Sequence, residues 1–139
     1  MSISTGKAKW SGNLKKGKGE MAFGNYTGPY TFASRFESGE GTNPEQLIGA
    51  ALSGCFSMFL SSLIGAEGLE PETVETVAKV KLDRDDKGPL ITTIDLDCQV
   101  KCPGLSESRF NELAKASKEG CPVSRLYKGA EIKLNARLV

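Results

Sequence analysis

The run from Leu47 to Ala66, LIGAALSGCFSMFLSSLIGA, contains no charged residue and carries Cys55 near its middle. A helix over these residues is apolar or small on every side, so it has to be enclosed by protein or by lipid. Its length reaches the roughly 20 residues of a membrane span. Only nine of the twenty residues are large and apolar, while Gly49, Ser53, Gly54, Ser57, Ser61, Ser62 and Gly65 are small or hydroxylic. That composition is poor for a span. It suits a helix against which other backbone packs closely, a symmetry mate included. Its start is well marked: Asn43 can cap, Pro44 fits the first helical position, and Glu45 and Gln46 suit the first turn. A buried helix in a soluble protein is expected, with no membrane contact.

The flanking segments read as strands. Ala8 and Trp10 alternate with lysines, and Tyr30, Phe32, Ser34 and Phe36 alternate with Thr31, Ala33 and Arg35, which aims Arg35 away from its aromatic neighbours. Downstream, Thr73–Leu82 and Leu90–Cys102 form a hairpin around DRDDKGP. In its second arm Ile94, Leu96, Cys98, Val100 and Cys102 share one face, opposite Asp95, Asp97, Gln99 and Lys101. Ser106 caps a helix with Leu105 and Phe110 placed as a hydrophobic staple and Gly120 beyond its end. Cys121-Pro122 opens a further short helical turn. EIKLNARL closes the chain as a strand with Ile132, Leu134, Ala136 and Leu138 facing inward. This order, without Gly-rich phosphate turns, predicts one α+β domain over residues 1–139.

Composition narrows the chemistry. With 18 basic and 17 acidic residues the net charge is +1, which points to no polyanionic partner. Lys7, Lys9, Lys15, Lys16 and Lys18 crowd the N-terminal hairpin. Nucleic-acid contact is one reading of them, and protection of an exposed strand edge is the better one. The start, MSISTGKAKW, shows no apolar signal core, so the expected location is cytoplasmic. In that reducing setting four cysteines are core residues, metal ligands or redox groups rather than a disulfide framework. The chain has no histidine. Cys-His and Ser-His nucleophile pairs, His-ligated metals and an imidazole base are all excluded. Any reactive thiol must be activated by Arg, Lys or a helix N-terminus.

The cysteines differ in setting. Cys98 and Cys102 lie on the inner face of one strand as small hydrophobes, about 13 Å apart, too far to chelate one metal unaided. For Cys55 two readings stand. An apolar helix interior makes a thiol inert, yet Gly49, Ser53, Gly54 and Ser57 leave room for a ligand or side chain to reach the sulfur. Cys121 is likewise open: core burial, or a thiol at a helix start where unpaired N–H groups favour the thiolate.

The run GTNPEQLIGAALSGCFSM, with GCPVSRL far downstream and an arginine in RFESGEGTNPE, resembles the OsmC/Ohr hydroperoxide reductases, in particular their osmotically inducible branch. AKWSG, KGKG and VKLD extend the resemblance over nearly the whole chain. It implies an intertwined homodimer with antiparallel sheets around a long buried central helix and active sites at the subunit interface. It implies a peroxidase cycle that uses no metal or cofactor. Carried over by position, Cys55 resembles the peroxidatic thiol, Cys121 the resolving thiol, Glu45 the acid of the NPE motif and Arg35 the catalytic arginine. Cys98 and Cys102 match no family role. The implied partners are an organic hydroperoxide, with hydrogen peroxide a weaker substrate, and an external dithiol reductant, the lipoyl type being one candidate. Phe56, Met58, Phe59 and the strand aromatics are expected to line an apolar pocket. The competing reading is a non-enzymatic ligand- or partner-binding α+β domain with structural cysteines. One geometric difficulty accompanies the resemblance. Ten residues of straight helix separate Glu45 from Cys55 by about 15 Å, so either the helix breaks near Gly49 or Gly54 or Arg35 bridges the gap.

Overall fold

Alternating small and aromatic residues with lysines builds the first sheet. In the computed structural model, which describes residues 1–139, strands β1 (Gly6–Ser11), β2 (Lys18–Phe23) and β3 (Tyr26–Tyr30) form an antiparallel meander in that order. Gly19 stands opposite both Trp10 and Tyr30, whose rings meet at 5.3 Å between centroids. A side chain on Gly19 would collide with both rings, so the missing Cβ is what lets the aromatics close over the strand.

The strand expected through residues 30–36 does not continue. Thr31 instead caps a short helix, α1 (Phe32–Phe36): its Oγ1 accepts from the Ser34 N–H at 3.1 Å, and Ser34 Oγ accepts from the Thr31 N–H at 2.8 Å. This reciprocal capping box satisfies two donors locally, which outweighs the aromatic alternation. Arg35 consequently does not turn away from its aromatic neighbours. Its guanidinium lies 5.2 Å from the centroid of the Phe36 ring.

Helix α2 (Pro44–Ala66) starts as expected. Asn43 Oδ1 accepts from the Gln46 N–H at 2.9 Å and Gln46 Oε1 accepts from the Asn43 N–H at 3.2 Å. The helix leaves the first of two compact units, Met1–Leu47, and enters the second, Ile48–Val139. There strands β4 (Thr73–Asp85) and β5 (Gly88–Lys101) pair antiparallel from Thr73 opposite Lys101 to Asp85 opposite Gly88. The chain then crosses through α3 (Glu107–Gly120) and α4 (Pro122–Leu126), and β6 (Glu131–Leu138) joins the free side of β5 in parallel. The second sheet is therefore mixed, not antiparallel as the family resemblance implied. A crossover of this length permits the parallel return.

Leu52, Phe56, Leu60 and Ile64 of α2 are buried with Ile94, Leu96, Cys98 and Val100 of β5 and with Phe110 and Leu113 of α3. Each such side chain contributes about 1.5–3 kcal/mol of hydrophobic stabilisation. Gly49 permits the close approach of helix to sheet: a Cβ there would stand 3.3 Å from Val80 Cγ2 and 3.4 Å from the Ala78 carbonyl oxygen. At the C-terminal end of α2, Arg109 donates from Nε to Glu67 at 2.9 Å and from Nη1 to Glu112 at 2.7 Å.

Burial of α2 is one-sided, contrary to the expectation of a helix enclosed all round. Met58 is 78% exposed, and Ala51, Gly54, Ser62 and Gly65 are exposed with it. By length and composition alone this helix could cross a membrane. Its other face, however, packs into the core shared with β5.

Candidate active site

Two of the four cysteines come together in the second unit. The end of α3 is brought against α2 because Gly120 has no side chain: a Cβ there would lie 3.1 Å from the ring of Phe59. The next residue, Cys121, caps α4, with Pro122 at the start of that helix. Its sulfur accepts from the Ser124 N–H at 3.3 Å and its thiol donates to Ser124 Oγ at 3.1 Å. Cys121 is completely buried. Cys55, on α2, is half-buried and free. Burial pushes the Cys55 thiol above its ordinary value, the Val123 peptide N–H works in the opposite direction, and the adjacent Cys121 thiol pushes it up further. Within this unit burial and the neighbouring Cys121 thiol both work against the Cys55 thiolate. Tyr127 helps seat α4 against α2, its hydroxyl donating to the Ile48 carbonyl at 3.5 Å.

Arg35 and Glu45 are paired within the first unit. Glu45 Oε1 accepts from Nη2 at 2.7 Å, and Nε lies 3.3 Å from both carboxylate oxygens. Glu45 is buried, whereas the Arg35 side chain is 35% exposed. The segment between them is folded to hold this geometry. Ser34 Oγ donates to the Thr42 carbonyl at 2.7 Å, Asn43 Nδ2 donates to the Ser34 carbonyl at 3.0 Å, and the Thr42 N–H donates to the Pro29 carbonyl at 2.9 Å. The pair thus orients a permanent cation while leaving Nη1 unengaged. Of the two ways past the Glu45–Cys55 separation, the first does not occur: α2 runs unbroken from Pro44 to Ala66.

Phe56 and Met58, expected to line one pocket, do not face a common space. Phe56 lies in the core and Met58 on the opposite, exposed face. A cavity of about 190 Å³ lies instead in the first unit, lined by Trp10, Leu14, Tyr30, Thr31, Phe32, Arg35 and Phe36. Trp10 and Tyr30 of the first sheet, with Phe32 and Phe36 of α1, give this cavity an apolar lining beside Arg35. Cys98 and Cys102 are buried on the inner side of the second sheet, and burial raises the Cys98 thiol, opposed by the Thr76 hydroxyl. Both behave as core residues. Sequence inspection overlooked Ser124, and it set Gly120 beyond the helix, whereas α3 runs through Gly120 and ends at Cys121. Ser124 could have been found, because Cys-Pro-Val-Ser places a hydroxyl at the third helical position behind a capping cysteine.

The family model described as OsmC-like protein matches residues 37–136. Peroxiredoxin OsmC of Escherichia coli strain K12 is 45% identical over 136 residues, covering 96% of this chain and 94% of that protein. Among solved structures, the organic hydroperoxide resistance protein OhrB of Bacillus subtilis superposes with a TM-score of 0.71 at 25% identity, covering 96% of this chain and 98% of the other. The OsmC-like protein of Mycoplasma pneumoniae superposes with a TM-score of 0.78 at 15% identity, covering 99% and 98%, and so speaks to the fold alone.

Proposed function

The chain belongs to the OsmC/Ohr family, and from that premise we propose that it is a thiol peroxidase reducing organic hydroperoxides, and hydrogen peroxide more weakly, by a two-cysteine cycle. Relatives named as a peroxiredoxin and as organic hydroperoxide resistance proteins support the peroxidase role. The observation that carries the cycle is the adjacency of Cys55 and Cys121, 66 positions apart in sequence, with one accessible and the other buried. The Cys55 thiolate attacks one peroxide oxygen and the other departs as alkoxide or hydroxide, which takes up a proton. Cys55 is left as sulfenic acid. Cys121 condenses with it to a disulfide, releasing water and protecting Cys55 from further oxidation. An external dithiol restores both thiols. Arg35, held by Glu45, supplies the charge that keeps Cys55 ionised and draws the peroxide into place. The aromatic cavity beside Arg35 suits an organic substituent better than bare hydrogen peroxide.

One equivalent of cumene hydroperoxide, followed by alkylation and mass mapping, tests this reading. Two thiols per chain should be lost, in a single Cys55–Cys121 disulfide. A protein that keeps all four thiols is a binding domain with structural cysteines.

The site is completed, in this reading, by a second copy of the chain. The exposed stripe of α2, Ala51, Gly54, Met58 and Ser62, is uncharged and, apart from Met58, built of small residues, as a helix face that meets its own copy should be. Sedimentation at micromolar concentration should give about twice the 14.9 kDa chain mass. A fully active monomer would rule this out.

A further inference from the structure

Reduction of the disulfide has a direction that the two sulfur environments set, and this step rests on the cycle proposed above. Cys121 is completely buried and its sulfur is engaged by both the N–H and the hydroxyl of Ser124, at 3.3 and 3.1 Å. Cys55 is only half-buried. Thiol–disulfide exchange is an in-line displacement: the attacking thiolate needs access to one sulfur, and the other must leave with the electron pair. We infer that the reductant attacks Cys55, that Cys121 is the leaving sulfur, and that Ser124 is the positioning residue that receives it.

The step balances as follows. A thiolate of the dithiol bonds to Cys55 Sγ, the Cys55–Cys121 bond breaks, and its electron pair leaves on Cys121 Sγ. The Ser124 hydroxyl, which accepts from the neutral thiol, rotates to donate to the anion, and the Ser124 N–H already points at the sulfur. Charge-assisted bonds of this kind are stronger than neutral ones. The second thiol of the reductant, as thiolate, then attacks its own sulfur in the mixed disulfide. Cys55 is released, the dithiol closes to a cyclic disulfide, and Cys121 takes up a proton from solvent. Two electrons pass from dithiol to protein. Ser124 is itself buried and, besides its helix bonds, has Cys121 as its hydrogen-bond partner. Without its bond to Cys121, the Ser124 side chain would be replaceable by any small residue at this third position of α4.

The test starts from protein oxidised with diamide, so that it does not depend on peroxide chemistry. The disulfide is verified by mass mapping, and the protein is then treated with a monothiol, N-acetylcysteine, and quenched with acid. The adduct should map to Cys55, and an adduct on Cys121 overturns the inference. In parallel, reduction of the same disulfide by dithiothreitol should slow about tenfold in Ser124→Ala, the size expected for one lost hydrogen bond to an anionic sulfur. Ser124→Thr, which keeps the hydroxyl, should recover most of that rate. Equal rates in all three proteins would overturn the role of Ser124, and the adduct site in the unmodified protein decides the direction of attack even where a variant folds poorly. Failure of diamide to form the Cys55–Cys121 disulfide removes the two-cysteine cycle and this inference with it. A disulfide that forms but is opened at Cys121 leaves the cycle standing and removes only the inference.

Discussion

Cys55→Ser should abolish hydroperoxide consumption, a loss of at least about a thousandfold, while the chain keeps its fold. A serine hydroxyl is nearly isosteric with the thiol but supplies almost no anion at neutral pH and is a poor nucleophile toward peroxide oxygen. The half-buried setting of Cys55 makes the exchange mild for packing. Cys98→Ser forms the informative contrast. Cys98 is fully buried among Ile94, Leu96 and Val100, so a hydroxyl there should cost about 1–3 kcal/mol of stability and leave turnover per folded molecule intact. Consumption of cumene hydroperoxide, read beside thermal melting of both variants, separates chemistry from packing. Turnover retained by Cys55→Ser would end the proposal that this thiol is the nucleophile.

The parts of the fold legible in sequence were those governed by local pattern. Alternation over Thr73–Leu82 and Leu90–Cys102 marked β4 and β5, and the inner residues Ile94, Leu96, Cys98 and Val100 are all buried. Asn43 and Ser106 marked helix starts because a side-chain acceptor there meets otherwise unpaired N–H groups, and both bonds are made. Residues 31–36 misled because two local patterns compete in them. Aromatic alternation favours a strand, and the Thr31–Ser34 pair favours a turn of helix, which wins by reciprocal hydrogen bonds. The parallel pairing of β6 with β5 is a tertiary outcome that no local pattern encodes.

Both pairs of candidate site residues were legible only through the family resemblance. Family resemblance pointed to Arg35 and Glu45, and the structure pairs them. It also pointed to Cys55 and Cys121, which the structure makes neighbours. Neither pairing followed from periodicity, because contacts across long sequence separations depend on how elements pack. The one-sided burial of α2 shows the same limit. Its composition required enclosure, but Met58 at 78% exposure shows that the chain's own sheet covers only one face.

Arg35→Met should slow the first oxidation of Cys55 by about two to three orders of magnitude, the scale for removing one preorganised charge from a reacting centre. The argument begins with the thiol. Burial raises Cys55 above an ordinary cysteine, and even an ordinary one is only a few per cent thiolate at pH 7. A raised thiol ionises only as pH climbs, so without a cation its rate should increase about tenfold per pH unit from neutral into the alkaline range. If Arg35 favours the thiolate at neutral pH, as proposed, the profile of the parent protein should be much flatter. The variant is thus distinguished by slope as well as by rate. Arg35→Lys should fall between the two, because it restores charge without the fork that Glu45 orients through Nε and Nη2. Cys121→Ser should fail differently: Cys55 is oxidised once, no disulfide follows, and excess peroxide carries Cys55 on to sulfinic acid. Rapid quench with mass analysis across pH reads all of these. If Arg35→Met reacts as fast as the parent protein, with the same shallow slope, then Arg35 is not the activating cation, and the lysines of the N-terminal hairpin become the first place to look.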